Sequence, residues 1–128
     1  MACGDDSPVE PLCIDTLPES CEAAYPATWD NIYRFVIAPR CGGSSGGSCH
    51  GPQGLKGNLA LHEKDGSYQA LLGMDGTHVR VLPADAACSG LMERLTTTDD
   101  TRRMPQGSML DAGDICAVQK WIEEGANP

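Results

Sequence analysis

The sequence predicts a small all-α domain of about three to five helices with long loops and stabilising disulfides. In the last segment of the chain, apolar residues recur every three or four positions, as on one buried face of a helix, at Ile115, Val118, Trp121 and Ile122. The chain also has seven cysteines but only one Phe and two Trp among 128 residues. A core this poor in aromatic side chains gains stability from covalent links or from a large apolar ligand.

One domain, residues 25–128, is predicted to follow an N-terminal tether of residues 1–24. The tether is acidic, interrupted by proline and without apolar periodicity. Its opening Met-Ala-Cys-Gly-Asp-Asp resembles the start of a mature bacterial lipoprotein, so Cys3 is the predicted lipidation site. Setting Cys3 aside leaves an even number of cysteines, which suits disulfide pairing.

Two helices are predicted in the first half of the domain. The first runs from Thr28 to about Ala38, and Pro39 ends it because proline cannot continue a helix. The segment from Gly42 to Ser48 has no side chain that could pack in a core and is predicted to be a flexible loop. A short second helix begins at Ser67 and ends at Gly73.

Two more helices are predicted in the second half of the domain. One begins at Ala84 or Asp85, where Pro83 closes an apolar segment, and runs through Leu95. The last runs from about Asp111 to Glu124, with an aspartate as its cap and a glycine directly after it. The strand content is predicted to be small.

Four cysteines are disulfide candidates. Cys13 and Cys21 are close enough in sequence to close a small loop, and this is the predicted pair in the tether. Cys88 and Cys116 each lie near the beginning of a predicted helix, so a disulfide between them would tie the last two helices together.

The charge of the chain bears on its partners. A formal net charge of −9 argues against binding to a phosphate backbone, which requires clustered Lys and Arg, so no nucleic acid is expected. An acidic surface keeps a protein soluble, and it could also dock a basic redox partner. No stretch is long and apolar enough to span a membrane, so membrane attachment is expected only through a lipid on Cys3.

Two motifs are the most indicative of a chemical role: Cys49-His50-Gly51 and the distant Arg103-Met104-Pro105-Gln106-Gly107. Between and around them, in order, stand Ile37-Ala38-Pro39-Arg40-Cys41, Leu59-Ala60-Leu61, Val81-Leu82-Pro83-Ala84-Asp85, Ser89-Gly90-Leu91 and Trp121-Ile122-Glu123-Glu124-Gly125-Ala126. With these motifs the chain resembles a class I cytochrome c-like domain of the type found in exported planctomycete and myxobacterial proteins. The resemblance extends from about Trp29 to Ala126.

The resemblance implies one covalently attached haem c. Cys41 and Cys49 would form its thioether bonds, and His50 and Met104 would be the axial ligands of the iron. Iron with six ligands has no open position for a substrate, so the implied function is electron transfer to a redox partner protein rather than catalysis. Trp121 would pack near the haem and the first helix.

The resemblance also implies an exported protein, in the periplasm or as an outer-membrane lipoprotein of a Gram-negative bacterium. A monomer is expected.

The spacing of the two site cysteines departs from the usual Cys-x-x-Cys-His. Seven residues separate Cys41 from Cys49, although a Gly-Ser loop of this length closes at little entropic cost. The same closed loop suits a disulfide between the two cysteines, and a single thioether from Cys49 is a third alternative. The alternative function is therefore a haem-free, disulfide-stapled binding or structural module of the cell envelope.

Overall fold

A computed structural model of the protein describes residues 13–15, 17–42, 50–51, 59–75, 78–105 and 107–128. Its elements, in chain order, are α1 (Trp29–Ile32), a π-helix (Tyr33–Gly42), α2 (Lys64–Leu72), β1 (Met74–Asp75), β2 (His78–Val79), α3 (Gly90–Thr96) and α4 (Ala112–Glu123). The two short strands form one antiparallel hairpin, in which Met74 pairs with Val79. The predicted helical, disulfide-stabilised fold is confirmed.

The first helix is longer than predicted and changes its hydrogen-bond pattern. The Thr28 side chain caps α1 by accepting a hydrogen bond from the backbone N–H of Asn31 at 3.3 Å. The predicted end at Pro39 is wrong, because the π-helix continues through this residue to Gly42. In an α-helix the proline ring clashes with the carbonyl four residues earlier, and the wider π-turn gives the ring more room. Cys41 therefore lies on the last turn of a helix.

The beginnings of α2 and α3 also differ from the prediction. α2 begins at Lys64, ahead of the predicted Ser67, and ends before Gly73 as expected. α3 begins only at Gly90. The Asp85 side chain accepts a hydrogen bond from the Cys88 backbone N–H at 3.0 Å, and this local bond holds the preceding residues in a turn instead of a helix.

α4 ends as the sequence predicts. The backbone N–H of Gly125 donates to the Ile122 carbonyl at 3.0 Å, and that of Ala126 donates to the Trp121 carbonyl at 2.8 Å. This pair of bonds is the Schellman arrangement, and Gly125 has the left-handed φ of 110° that the arrangement requires. The cap satisfies carbonyls that α4 would otherwise leave without partners.

An aromatic cluster joins three helices at the centre of the domain. The Trp29 ring of α1 stacks on the Trp121 ring of α4, with centroids 5.3 Å apart, and meets the Tyr68 ring of α2 edge-on at 5.5 Å. Trp121 therefore packs against the first helix. The fully buried apolar side chains around this cluster include Ile32, Val36, Ile37, Leu71, Met92, Leu95, Val118 and Ile122.

Two disulfides attach residues 13–15 and 17–24 to the helical domain. Cys13 is bonded to Cys88, and Cys21 is bonded to Cys116. The predicted pairings Cys13–Cys21 and Cys88–Cys116 are therefore wrong. The reason is that residues 13–15 and 17–24 lie along the domain, where Ala24 donates a backbone hydrogen bond to the Gly113 carbonyl at 3.1 Å. Each of these cysteines consequently faces a distant one and not its neighbour in sequence.

Among the described residues, no helix has the length and apolar character needed to cross a membrane. Cys3, the predicted lipidation site, lies outside the described residues.

Candidate functional site

Cys41 stands at the end of the π-helix with a free thiol. Cys41 is therefore not joined to Cys49 by a disulfide, which was one of the arrangements left open for this pair. Burial raises the pKa of the Cys41 thiol to about 12, although the neighbouring Arg40 guanidinium acts in the opposite direction. The thiol is consequently neutral and weakly nucleophilic at physiological pH.

Gly42 fits the end of the π-helix against the segment that contains Leu59 and Leu61. A Cβ atom on Gly42 would lie 2.4 Å from the Leu61 carbonyl oxygen, well inside the contact distance. Only glycine allows the two backbones to approach this closely. The helix end that carries Cys41 and the backbone of Leu61 are thereby fixed next to each other.

His50 is fixed to the same segment. Its Nδ1 lies 3.2 Å from the Leu59 carbonyl oxygen, and its own carbonyl accepts a hydrogen bond from the Leu61 backbone N–H at 2.6 Å. A carbonyl can only accept, so Nδ1 carries the hydrogen and donates it. In that tautomer the lone pair of the imidazole is on Nε2, which is the nitrogen that can bind a metal.

Met104 lies half-buried in the loop between α3 and α4, before a cis bond to Pro105. Its backbone N–H donates to the Arg94 carbonyl of α3 at 2.8 Å. The same loop is held to α3 by Arg102, which forms an ion pair with Glu93 at 2.5 Å. These bonds fix the position of the Met104 backbone relative to α3.

Arg40 links the Cys41 helix to the loop that carries Met104. Its guanidinium donates to the Ser108 carbonyl at 3.2 Å and to the Ser108 hydroxyl at 2.9 Å. The bond joins the residue before Cys41 to a residue four positions after Met104. Neither Arg40 nor the Leu59 carbonyl was among the predicted site residues, because their roles depend on contacts between segments distant in sequence.

The fold therefore brings Cys41 and His50 together on the Leu59–Leu61 segment, and Arg40 connects them to the Met104 loop. Cys49, the remaining predicted site residue, lies outside the described residues. Within the described part of the chain, no three side chains of the His, Cys, Asp or Glu type form a group that could hold a metal ion. A haem iron requires no such group, since its porphyrin supplies four nitrogens and the protein only two axial ligands.

The donor set fits haem c in its chemistry. It comprises a thiol that is not oxidised, an imidazole whose Nδ1 is engaged by a backbone carbonyl, and a thioether in a braced loop. Imidazole and thioether are the axial ligands of c-type haem iron, and a cysteine thiol is the group that attaches the porphyrin.

The model of the family described as Planctomycete cytochrome C matches residues 47–107. The match includes Cys49, His50 and Met104 but does not extend to Cys41. Over this segment the chain is similar to that family, in agreement with the cytochrome c-like domain predicted from the motifs. No curated protein and no solved structure matches the chain.

Proposed function

We propose that the protein is an electron-transfer cytochrome that carries one covalently attached haem c. His50 and Met104 would be the axial ligands, and Cys49, with or without Cys41, would attach the porphyrin. The bound haem would supply a centre that gains and loses one electron reversibly. With both axial positions filled by protein side chains, the site would leave no position for a substrate, so we propose a carrier and not an enzyme.

The observation that carries the proposal is the hydrogen bond from His50 Nδ1 to the Leu59 carbonyl. Histidines that bind metals almost always donate their other ring N–H to a carbonyl, carboxylate or water. This second contact selects the tautomer, fixes the plane of the ring and makes the binding nitrogen more basic.

The loop contacts also hold Met104, the proposed second axial ligand, in a fixed position. Because the Met104 N–H is bonded to Arg94 and Ser108 is bonded to Arg40, the loop is anchored on both sides of Met104. An anchored loop presents the thioether at lower entropic cost than a free one. A thioether ligand favours the reduced iron and so raises the reduction potential.

The proposed setting is an oxidising compartment outside the cytoplasm. The two disulfides support it, since such bonds persist mainly in exported proteins. We further propose a periplasmic or outer-membrane-anchored monomer that exchanges electrons with a redox partner protein. The net charge of −9 favours a partner with a basic surface.

The decisive experiment is an intact mass and an absorption spectrum of the protein exported together with a haem-attachment system. The proposal predicts red protein with a Soret band and a mass raised by one haem. Colourless protein in which Cys41 and Cys49 both react with iodoacetamide after denaturation would contradict it. If only Cys41 reacts in red protein, Cys49 forms the single thioether.

The role of Met104 is tested by Met104→Ala, with Met109→Ala as the matched control. Met109 lies in the same loop with 44% of its surface exposed. Replacing Met104 should change the spectrum and lower the reduction potential, because the iron loses its thioether ligand. Replacing Met109 should leave both unchanged. Equal spectra for the two variants would remove Met104 from the site.

One observation favours the alternative of a haem-free binding or structural module. The disulfides and the Trp29–Trp121 stack already tie the N-terminal segment, α1 and α4 together through groups of the chain itself. Under this alternative the exported protein is colourless and its far-UV circular dichroism is that of a folded helical domain.

A further inference from the structure

We propose that Arg40 is the positioning residue of the site, because its contact with Ser108 holds the loop that carries Met104 against the helix end that carries Cys41. We call this contact the Arg40 clamp. The inference rests on the proposed function for its effect at the iron, where Met104 is the remote ligand. The clamp itself is made by the chain alone, so it can be tested in haem-free protein.

A continuous set of contacts leads from His50 to the clamp. The Leu61 backbone N–H donates to the His50 carbonyl at 2.6 Å, and Gly42 lies so close to the Leu61 backbone that no Cβ atom would fit between them. Arg40 precedes Gly42 by two residues on the same π-helix, so its backbone is fixed together with that helix end. The Arg40 side chain therefore transmits the position of the His50 segment to the loop of Met104.

The clamp holds both the backbone and the side chain of Ser108. One guanidinium nitrogen of Arg40 donates to the Ser108 carbonyl at 3.2 Å and to the Ser108 hydroxyl at 2.9 Å. Hydrogen bonds from a charged donor are stronger than those between neutral groups. Because the two acceptors belong to one residue, the clamp restricts the orientation of the loop as well as its distance from the helix.

The other side of the loop is anchored to α3. The Met104 backbone N–H donates to the Arg94 carbonyl at 2.8 Å, and the Arg94 guanidinium donates to the Arg102 carbonyl at 3.0 Å. These bonds act on residues up to Met104, whereas the clamp acts four residues after it. The Arg94 side-chain bond is partly buried and the clamp is exposed to solvent, so we expect the loop to detach first at Ser108.

The first test measures backbone amide hydrogen exchange by NMR in the haem-free full chain with both disulfides formed. The Met104 amide is the reporter, because its bond to the Arg94 carbonyl opens when the loop detaches. Arg40→Ala should speed its exchange about fivefold or more. Arg34→Ala removes the same charge from the same helix, but the Arg34 guanidinium lies over the Phe35 ring. This control should speed the exchange less than about twofold.

The Thr97 amide shows whether the effect is local to the loop. It donates to the Glu93 carbonyl at 3.0 Å at the end of α3 and should exchange at the same rate in the wild type and in Arg40→Ala. Equal acceleration of the Thr97 and Met104 amides would overturn the proposal, because Arg40 would then stabilise the whole domain. Equal acceleration of the Met104 amide in Arg34→Ala and Arg40→Ala would overturn it as well.

Ser108→Ala separates the clamp from the charge of Arg40. A cation near the C-terminal end of a helix is favourable by itself, and this variant leaves that cation in place while it removes the hydroxyl acceptor. Alone, Ser108→Ala should speed exchange of the Met104 amide about threefold. Combined with Arg40→Ala it should add nothing, since the contact is already lost. Fully additive effects of the two substitutions would overturn the proposal.

The second test measures the reduction potential of the haem-loaded variants. Arg40→Ala should have a lower potential than Arg34→Ala, because a loosely held Met104 thioether stabilises the reduced iron less. Arg40→Lys keeps the charge and a donor and should recover part of the loss. Equal potentials of Arg40→Ala and Arg34→Ala would overturn the proposal. Protein that attaches no haem would contradict the proposed function alone, and the exchange rates would still decide whether Arg40 holds the loop.

Discussion

The Cys13–Cys88 disulfide is expected to contribute about 3–4 kcal/mol to the free energy of unfolding. It joins residues separated by 75 positions, and closing a loop of that length restricts the unfolded chain by about 4 kcal/mol at 25 °C. With Cys21–Cys116 still in place, the shortest covalent path between the two cysteines is roughly half as long, which lowers the estimate by about 0.6 kcal/mol.

The perturbation is the double variant Cys13→Ala with Cys88→Ala, which leaves no unpaired thiol at these positions. Cys13 is exposed and Cys88 half-buried, so the substitutions remove little packing beyond the covalent bond. Urea unfolding followed by circular dichroism should show a lower free energy of unfolding by the expected amount. Ser20→Ala, an exposed substitution between the two bridged cysteines of the N-terminal segment, is the control and should change stability by less than about 0.5 kcal/mol.

A loss below about 1 kcal/mol in the double variant would refute the reasoning, because it would mean that the unfolded chain is not restricted by a long loop. Mass mapping of non-reduced peptides provides an independent check. It should recover a Cys13–Cys88 and a Cys21–Cys116 peptide pair. A Cys13–Cys21 pair in the native protein would contradict the structure directly.

Three further predictions follow from single residues. Gly42→Ala should lower the free energy of unfolding by about 1–3 kcal/mol or more, measured by urea unfolding, because the new methyl group meets the Leu61 backbone; unchanged stability would refute the close approach. Ala84→Gly should raise the thermal midpoint and increase the free energy of unfolding by up to about 1 kcal/mol. Ala84 has a φ of 70° at the third position of a turn, in which the Asp85 backbone N–H donates to the Leu82 carbonyl, and glycine adopts this φ without strain. A loss of stability would show that the φ of Ala84 is not strained. In haem-free protein the free energy of unfolding should fall as the pH rises above about 9. In the unfolded chain the Cys41 thiol then releases its proton, whereas in the folded protein it retains the proton up to about pH 12. The slope attributable to this thiol is about 1.4 kcal/mol per pH unit and should be absent in Cys41→Ala, so equal slopes in the two proteins would refute it.

The sequence by itself determined the features that depend on neighbouring residues. The end of α4 at Gly125 and the end of α2 before Gly73 each follow from one glycine and the backbone next to it. The spacing of apolar residues likewise determined that the domain is helical, because it repeats within each segment. The ordered motifs indicated the cytochrome c-like domain on the same local basis.

Only the tertiary structure decided which distant groups meet. Sequence proximity favoured Cys13–Cys21, but the path of the N-terminal segment along the domain places each of these cysteines next to a remote one. The turn held by Asp85, the contact between Gly42 and Leu61, and the hydrogen bond of His50 to the Leu59 carbonyl are equally a matter of three-dimensional position. The physical reason is that pairing energies depend on distance in space, and chain order restricts that distance only over a few residues.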